Sequence, residues 1–140
     1  RSVLAIGYYL NYGEDSPVSP QCLTLEINPE TWMSQLAFAR TFVLEHEVEA
    51  MQSLGFGQKL TAKDLLVLGE QGPIENELRT LDECVRHKIL DCLGDFALIG
   101  CDLQGYFCAH QSGHALNREL IKNLRATQQS ALSDHSWKVA

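Results

Sequence analysis

The chain has 140 residues, enough for one domain with a real core, and 45% of them are apolar, which excludes a disordered polymer. Eighteen Asp and Glu against eleven Lys and Arg leave a net charge of −7. Without a basic stripe such a chain is a poor match for phosphate backbones, so nucleic-acid binding is disfavoured. No apolar run reaches the length of a membrane span, and the opening residues do not read as a signal peptide. The chain opens on Arg1 and runs at once into a strand-like segment, so an N-terminal portion is expected to precede it. Five cysteines, an odd number with no C-x-x-C pair, argue against a disulfide framework. Four of them sit among apolar neighbours and are expected to act as small core residues in a reducing cytoplasm.

Residues 3–10 flank Gly7 with apolar side chains and predict a first strand. Residues 11–20 hold Gly13, Asp15, Ser16, Pro17, Ser19 and Pro20 and predict a loop. Residues 22–27 set Cys22 and Thr24 against Leu23, Leu25 and Ile27, an alternation that predicts a second strand. Asn28 and Pro29 read as an N-cap and first helical position, for a helix running through Trp32 and Leu36 to about Arg40. Residues 41–44 predict a short strand. Residues 45–54 predict an acidic amphipathic helix with Val48 and Met51 inward, stopped by Gly55. A strand over 64–68 and a turn over 69–73 follow. This strand–helix–strand piece sits between two larger helices like an insertion into a simpler layout.

Thr80 and Glu83 have the spacing of a capping box and predict the start of a long helix ended by Gly100. Residues 103–111 predict a strand. Residues 114 to about 125 predict the last helix, with Leu116, Leu120, Ile121 and Leu124 at helical spacing. Residues 128–140 read as a polar tail in which Trp137 is the one docking candidate.

The chemistry concentrates in two segments. His87, Asp91 and Asp95 recur at steps of four on the long helix and therefore project from one face. A lone His–Asp pair of this kind is ordinarily a helical ion pair worth a few tenths of a kcal/mol. Here a second carboxylate joins the stripe, and Ile89, Leu90, Leu93, Phe96 and Leu98 make the rest of the helix apolar, so the charges lie near buried surface and need pairing or ligation. Imidazole and carboxylate are both zinc ligands. His114 follows Ser112-Gly113 at a strand-to-helix junction, where a group titrating near neutrality suits acid–base work and a simple helix cap is the plainer alternative. Lys88 is a surface lysine or a point charge for an anionic substrate. Arg86 is structural or exposed, His110 is an exposed strand residue, and His46 and His135 have no supporting context.

DECVRHKILDCLGD followed by SGHALN, with ARTF upstream, resembles the second domain of the UDP-3-O-acyl-N-acetylglucosamine deacetylases, zinc amidases of lipid A biosynthesis. The resemblance covers nearly the whole chain to about Leu124. It implies an α+β fold, a two-layer sandwich of helices on a small mixed β-sheet, over residues 1–127, with residues 128–140 as a tail. It also implies that the insertion over about 41–68 forms a hydrophobic passage for the substrate acyl chain, with Phe42, Val48, Leu65 and Val67 as neighbours of that chain. By the same resemblance His87 and Asp91 match zinc ligands, Asp95 the carboxylate that orients a catalytic histidine, His114 that histidine, and Thr41 a hydroxyl that stabilises the oxyanion. Lys88 matches a lysine at the substrate head group, and Tyr8 an aromatic residue near the uracil. Gln111 stands where some members have a basic residue, so one phosphate contact is in question. The family's third zinc ligand is a histidine beside a glutamate base in its first domain. Glu45-His46 is the only Glu-His pair here, and it begins the inserted helix instead. The implied function is zinc-dependent hydrolysis of the substrate acetamide in the cytoplasm, with this chain supplying half an active site and inactive without the first domain. A non-catalytic binding or regulatory module that keeps the fold is the alternative.

Overall fold

A computed structural model describes residues 3–61 and 63–134, with side chains up to residue 129. Among the described residues two three-stranded sheets and four α-helices make the fold α+β, as expected. In the main sheet β1 (Leu4–Leu10) lies between β2 (Gln21–Glu26) and β6 (Gly105–His110). β1 runs antiparallel to β2, with Tyr8 opposite Leu23, and parallel to β6, with Ile6 opposite Phe107. The sheet is therefore mixed.

Period-two alternation sorts the side chains of these strands. Ile6, Tyr8 and Leu10 are buried on one face, where α3 (Glu83–Phe96) packs with Val85, Ile89, Cys92 and Phe96 at or near zero exposure. α4 (His114–Asp134) lies beside α3 and contributes Ile121. These groups form one continuous core. The opposite face carries Cys22, Thr24, Tyr106, Cys108 and His110, all exposed. On it the Tyr106 phenol crosses over Gly7, so close that a Cβ there would stand 2.5 Å from its oxygen.

The second sheet is the insertion. β3 (Phe42–Leu44) leads into α2 (Glu45–Ser53), which crosses to β4 (Leu66–Gly69), parallel to β3; β5 (Gly72–Pro73) turns back antiparallel on β4. Leu44, Leu66 and Leu68 enter the common core, while α2 buries no residue fully.

Five expectations are corrected. Asn28 does cap, exchanging two hydrogen bonds with Thr31, but the helix α1 (Pro29–Thr31) widens into a π-helical turn over Trp32–Leu36 and stops there. The wider turn delivers Leu36 to full burial, and Arg40 is drawn away by Glu83. The Thr80–Glu83 capping box does not form: Asp82 is the N-cap of α3, and the Glu83 carboxylate is taken by Arg40 and by the amide of Arg79. The fourth strand starts at Leu66 rather than 64, because Asp64 closes a turn on Thr61. α4 extends to Asp134, well into the expected tail; His135 and Trp137 lie outside the described residues. Only Cys84 and Cys92 are buried, because Cys22 and Cys108 fall on the outward strand face and Cys101 follows the helix end at Gly100.

Candidate functional site

α3 has two faces. Burying Val85, Ile89, Cys92 and Phe96 against the sheet turns Glu83, His87, Asp91 and Asp95 to one flank, where the start of α4 and the insertion meet them. His87 Nε2 lies 3.3 Å from Asp91 Oδ1, and both side chains are 15% exposed. Lys88 does not extend into solvent. Its Nζ donates to Asp91 Oδ2 at 2.9 Å and stands 5.9 Å from the centre of the Tyr8 ring. Burial pushes the Asp91 carboxyl up, but the hydrogen bonds and charges of His87 and Lys88 outweigh it and bring it down to about 2.

His114 opens α4, so its ring projects from the first turn back towards α3. Its Nδ1 is 2.8 Å from Asp95 Oδ2, and its Nε2 faces Asp91 Oδ1 at 4.0 Å. The imidazole is thus held by one carboxylate and presents its other nitrogen beside the His87–Asp91 pair, with 58% of the side chain open. Behind it Asn117 donates from Nδ2 to Asp95 Oδ2 at 3.0 Å and is itself buried. The buried Cys92 thiol touches Asn117 Oδ1 and Ser112 Oγ, and burial raises its pKa.

The insertion reaches this flank through Phe42, whose ring sits edge-on to His87 at 6.1 Å and edge-on to Tyr12 at 6.0 Å. Thr41, exposed, precedes that contact by one residue, and its carbonyl accepts from the Leu66 amide. Beyond it Val48, Leu65 and Val67 line a cavity of about 510 Å³, together with Met51, Phe56 and Leu60. Phe42 is not in that lining. A separate cleft of about 940 Å³ between residues 12–17 and α2 is walled by Glu14, Asp15, Glu45, Glu47, Glu49 and Glu70, a setting that repels anions.

Tyr8 is 1% exposed, and its hydroxyl donates to the Ser112 carbonyl at 2.5 Å; with Asn11, Tyr12, Gln111 and Ser112 it borders a cavity of about 490 Å³. Burial pushes its phenol up to about 12. Gln111 turns with a positive φ of 51°, and its side-chain amide donates to the Asn11 carbonyl. Asn117 and the Arg40–Glu83 pair escaped the sequence reading. Asn117 had a signal, since it stands one helical turn after His114 in the SGHALN segment.

The donor set bears on a metal ion. The buried Nδ1 of His87 has no hydrogen-bond partner among the described residues. His87 Nε2 faces a carboxylate oxygen 3.3 Å away, a contact satisfied either by a proton on Nε2 or by a cation held between the two atoms. Two ligands of one tetrahedral zinc lie about 3.3 to 3.5 Å apart, given bond lengths near 2.0–2.2 Å. The pair therefore fits two corners of such a site. Among the described residues no group of three or more His, Cys, Asp or Glu side chains gathers around one point.

The depressed Asp91 carboxyl has a consequence for acid stability. Its folded pKa of about 2 lies below the ordinary 3.8, so its contribution is present above pH 4 and is lost as pH falls towards 2. The shift corresponds to on the order of 2 kcal/mol. Asp91→Asn is expected to flatten the fall in urea midpoint between pH 4.5 and 2; an unchanged slope would show that His87 and Lys88 do not hold the carboxylate.

The sequence profile described as LpxC, UDP-3-O-acyl N-acetylglycosamine deacetylase, matches residues 2–126. A UDP-3-O-acyl-N-acetylglucosamine deacetylase of Solibacter usitatus is 38% identical over 110 residues, covering 78% of this chain and 37% of the relative. The proteins of that name from Oleidesulfovibrio alaskensis and Thermodesulfovibrio yellowstonii are 39% and 35% identical, over 86% and 85% of this chain and 40% and 41% of their own lengths. The chain thus spans well under half the length of the curated relatives it matches. A match over nearly all of its residues, with relatives this similar, places the chain in the UDP-3-O-acyl N-acetylglycosamine deacetylase family.

Proposed function

We propose that this chain is the second domain of a zinc-dependent deacetylase that hydrolyses the acetamide of UDP-3-O-acyl-N-acetylglucosamine in the cytoplasm, a step of lipid A biosynthesis, and that it contributes half of the active site. The observation that carries the reading is the placement of His114: one nitrogen on Asp95, the other beside a His87–Asp91 pair spaced for a single ion. In this reading His87 and Asp91 hold zinc, and zinc when bound acidifies a water and polarises the amide carbonyl.

The remaining roles belong to side chains of this chain. Asp95, steadied by Asn117, fixes the orientation of the His114 ring. Protonated His114 stabilises negative charge developing on the carbonyl oxygen and gives its proton to the leaving amine. Thr41 offers a hydroxyl to the same oxygen. Lys88 is held at the edge of the site by Asp91 and places a cation for the anionic head group. Val48, Leu65 and Val67 receive the acyl chain in the cavity that they line, and Phe42, edge-on to His87, carries the chain past the ion site. Apolar burial there contributes about 0.8 kcal/mol per methylene. The acidic cleft beside α2 is unsuited to the diphosphate, so the nucleotide is expected away from it.

His114→Ala, made in the complete protein, is expected to lower turnover roughly a hundredfold or more. An unchanged rate would remove His114 from the mechanism.

Two ligands preorganise a metal less well than three. The chain alone is therefore expected to fold without zinc, to bind zinc weakly in calorimetric titration, and to show no deacetylase activity. Tight binding that survives loss of both His87 and Asp91 would place the metal elsewhere.

Met51 lines the cavity from α2 and is 38% exposed, so a charge there spares the core. Met51→Asp in the complete protein is expected to raise KM for the acylated substrate about tenfold, with kcat nearly constant. A KM indifferent to this change would dissociate the cavity from the acyl chain.

A further inference from the structure

Glu83 is a carboxylate with no exposure to solvent, one turn before His87 on the site-bearing flank of α3. Its Oε1 accepts from Arg40 Nε at 2.8 Å and from the Arg40 amide at 3.1 Å; its Oε2 accepts from Arg40 Nη2 at 3.1 Å and from the Arg79 amide at 2.7 Å. The Arg40 guanidinium is spent on the same region, with Nη1 on Asn76 Oδ1 at 2.9 Å and Nη2 on the Glu77 carbonyl at 2.7 Å. Arg79 closes the ring by donating to the Phe38 carbonyl at 2.6 Å. Burial pushes the Glu83 carboxyl up, and these donors overcome it and hold it below its usual range.

The arrangement has a topological meaning. Residue 40 is where the chain passes into the insertion, and residues 76–79 are where it returns. Both strands of that neck are tied to one carboxylate on the first turn of α3. The next residues in the ingoing strand are Thr41 and Phe42, and Phe42 packs on His87, the next residue of the α3 stripe.

A buried ion pair is a poor device for stability alone, since apolar residues of the same volume usually serve as well or better. What the pair supplies is geometry: the planar fork fixes distance and angle between two elements at once. We infer that Arg40 and Glu83 are positioning residues that set the register of the insertion on α3, so that Thr41 and the Phe42 ring beside it are held in place at the His87–Asp91 pair. The inference rests on the proposed role of Thr41 and adds to it the element that places that hydroxyl.

The test is a cycle of variants in the complete two-domain protein. Arg40→Lys keeps the charge but loses the fork, so one ammonium has to choose among Glu83, Asn76 and the Glu77 carbonyl. Thr41→Ala alone is expected to lower kcat about a hundredfold, the scale of one lost oxyanion donor. Arg40→Lys alone is expected to lower kcat about tenfold with KM within a factor of two. In the Thr41→Ala background the same change is expected to alter kcat less than twofold, because its effect passes through the hydroxyl already removed. A merely structural pair would lower the melting temperature and leave kcat intact, or its effect would multiply with that of Thr41; either result overturns the inference. Should Arg40→Lys fail to fold, Glu83→Gln, which keeps an oxygen acceptor for the Arg40 amide, enters the same cycle. A Thr41→Ala enzyme with unchanged kcat would defeat the role of Thr41. The clamp would then be judged by the ring-proton resonances of labelled His87, under the Phe42 edge. A shift in Arg40→Lys supports the register, and unchanged resonances overturn it.

Discussion

Helix α3 has to bury Val85, Ile89, Cys92 and Phe96, and that requirement decides where every charged group of the site points. The apolar positions at 85, 89, 92 and 96 make one helical stripe, and the polar positions at 83, 87, 91 and 95 make another alongside it. Once the first stripe lies on β1, the second is directed to the flank shared with α4 and the insertion. His87, Asp91 and Asp95 are therefore positioned by hydrophobic burial on a rigid element rather than by a loop. The apolar contacts bear the cost of bringing three carboxylates, counting Glu83, close to a low-dielectric core.

That cost is met locally as well. Each carboxylate on the stripe has its own cation or donor: Arg40 for Glu83, Lys88 and His87 for Asp91, His114 and Asn117 for Asp95. Each of the three buried or half-buried groups thus has hydrogen-bond partners of its own. The polar cluster of Cys92, Ser112, Asn117 and Tyr8 behind Asp95 continues the pattern inward, each group finding a partner.

What could be read from the sequence follows from which signals are local. The alternation in β2, the Asn28 cap and the glycine stops after α2 and α3 depend on neighbours within a few residues, and they were legible. So was the flank of His87, Asp91 and Asp95, because four-residue spacing is a helical property. Glu83 misled for the same reason: its spacing from Thr80 imitates a capping box, while its true partner Arg40 lies forty-three residues away, and no periodicity reports such a pair. The early stop of the first helix has the same origin, since Arg40 belongs to Glu83 and not to the helix. The length of α4 was underestimated from polarity. The segment after Gly113 contains no glycine or proline and holds Ala126, Gln128, Gln129, Ala131 and Leu132, good helix formers that continue the element without an apolar face. Tyr8 illustrates the opposite limit: strand parity gives its face, but only the assembled sheet decides that this face is the inside one.

The parallel pairing of β1 with β6 joins residues about a hundred positions apart, with the whole insertion and α3 between them. β1 is the central strand, so until β6 is made it lacks one of its two neighbours, and α3 covers a sheet that is still incomplete. Closing so long a loop is entropically slow, and β6 can pair only after β2, the insertion and α3 have been made. The main sheet and the seat of His114, which follows directly on β6, are thus completed together, after the insertion and α3. A chain truncated before residue 105 would lack both the strand that finishes the sheet and the histidine that faces Asp91, so sheet and site are lost together.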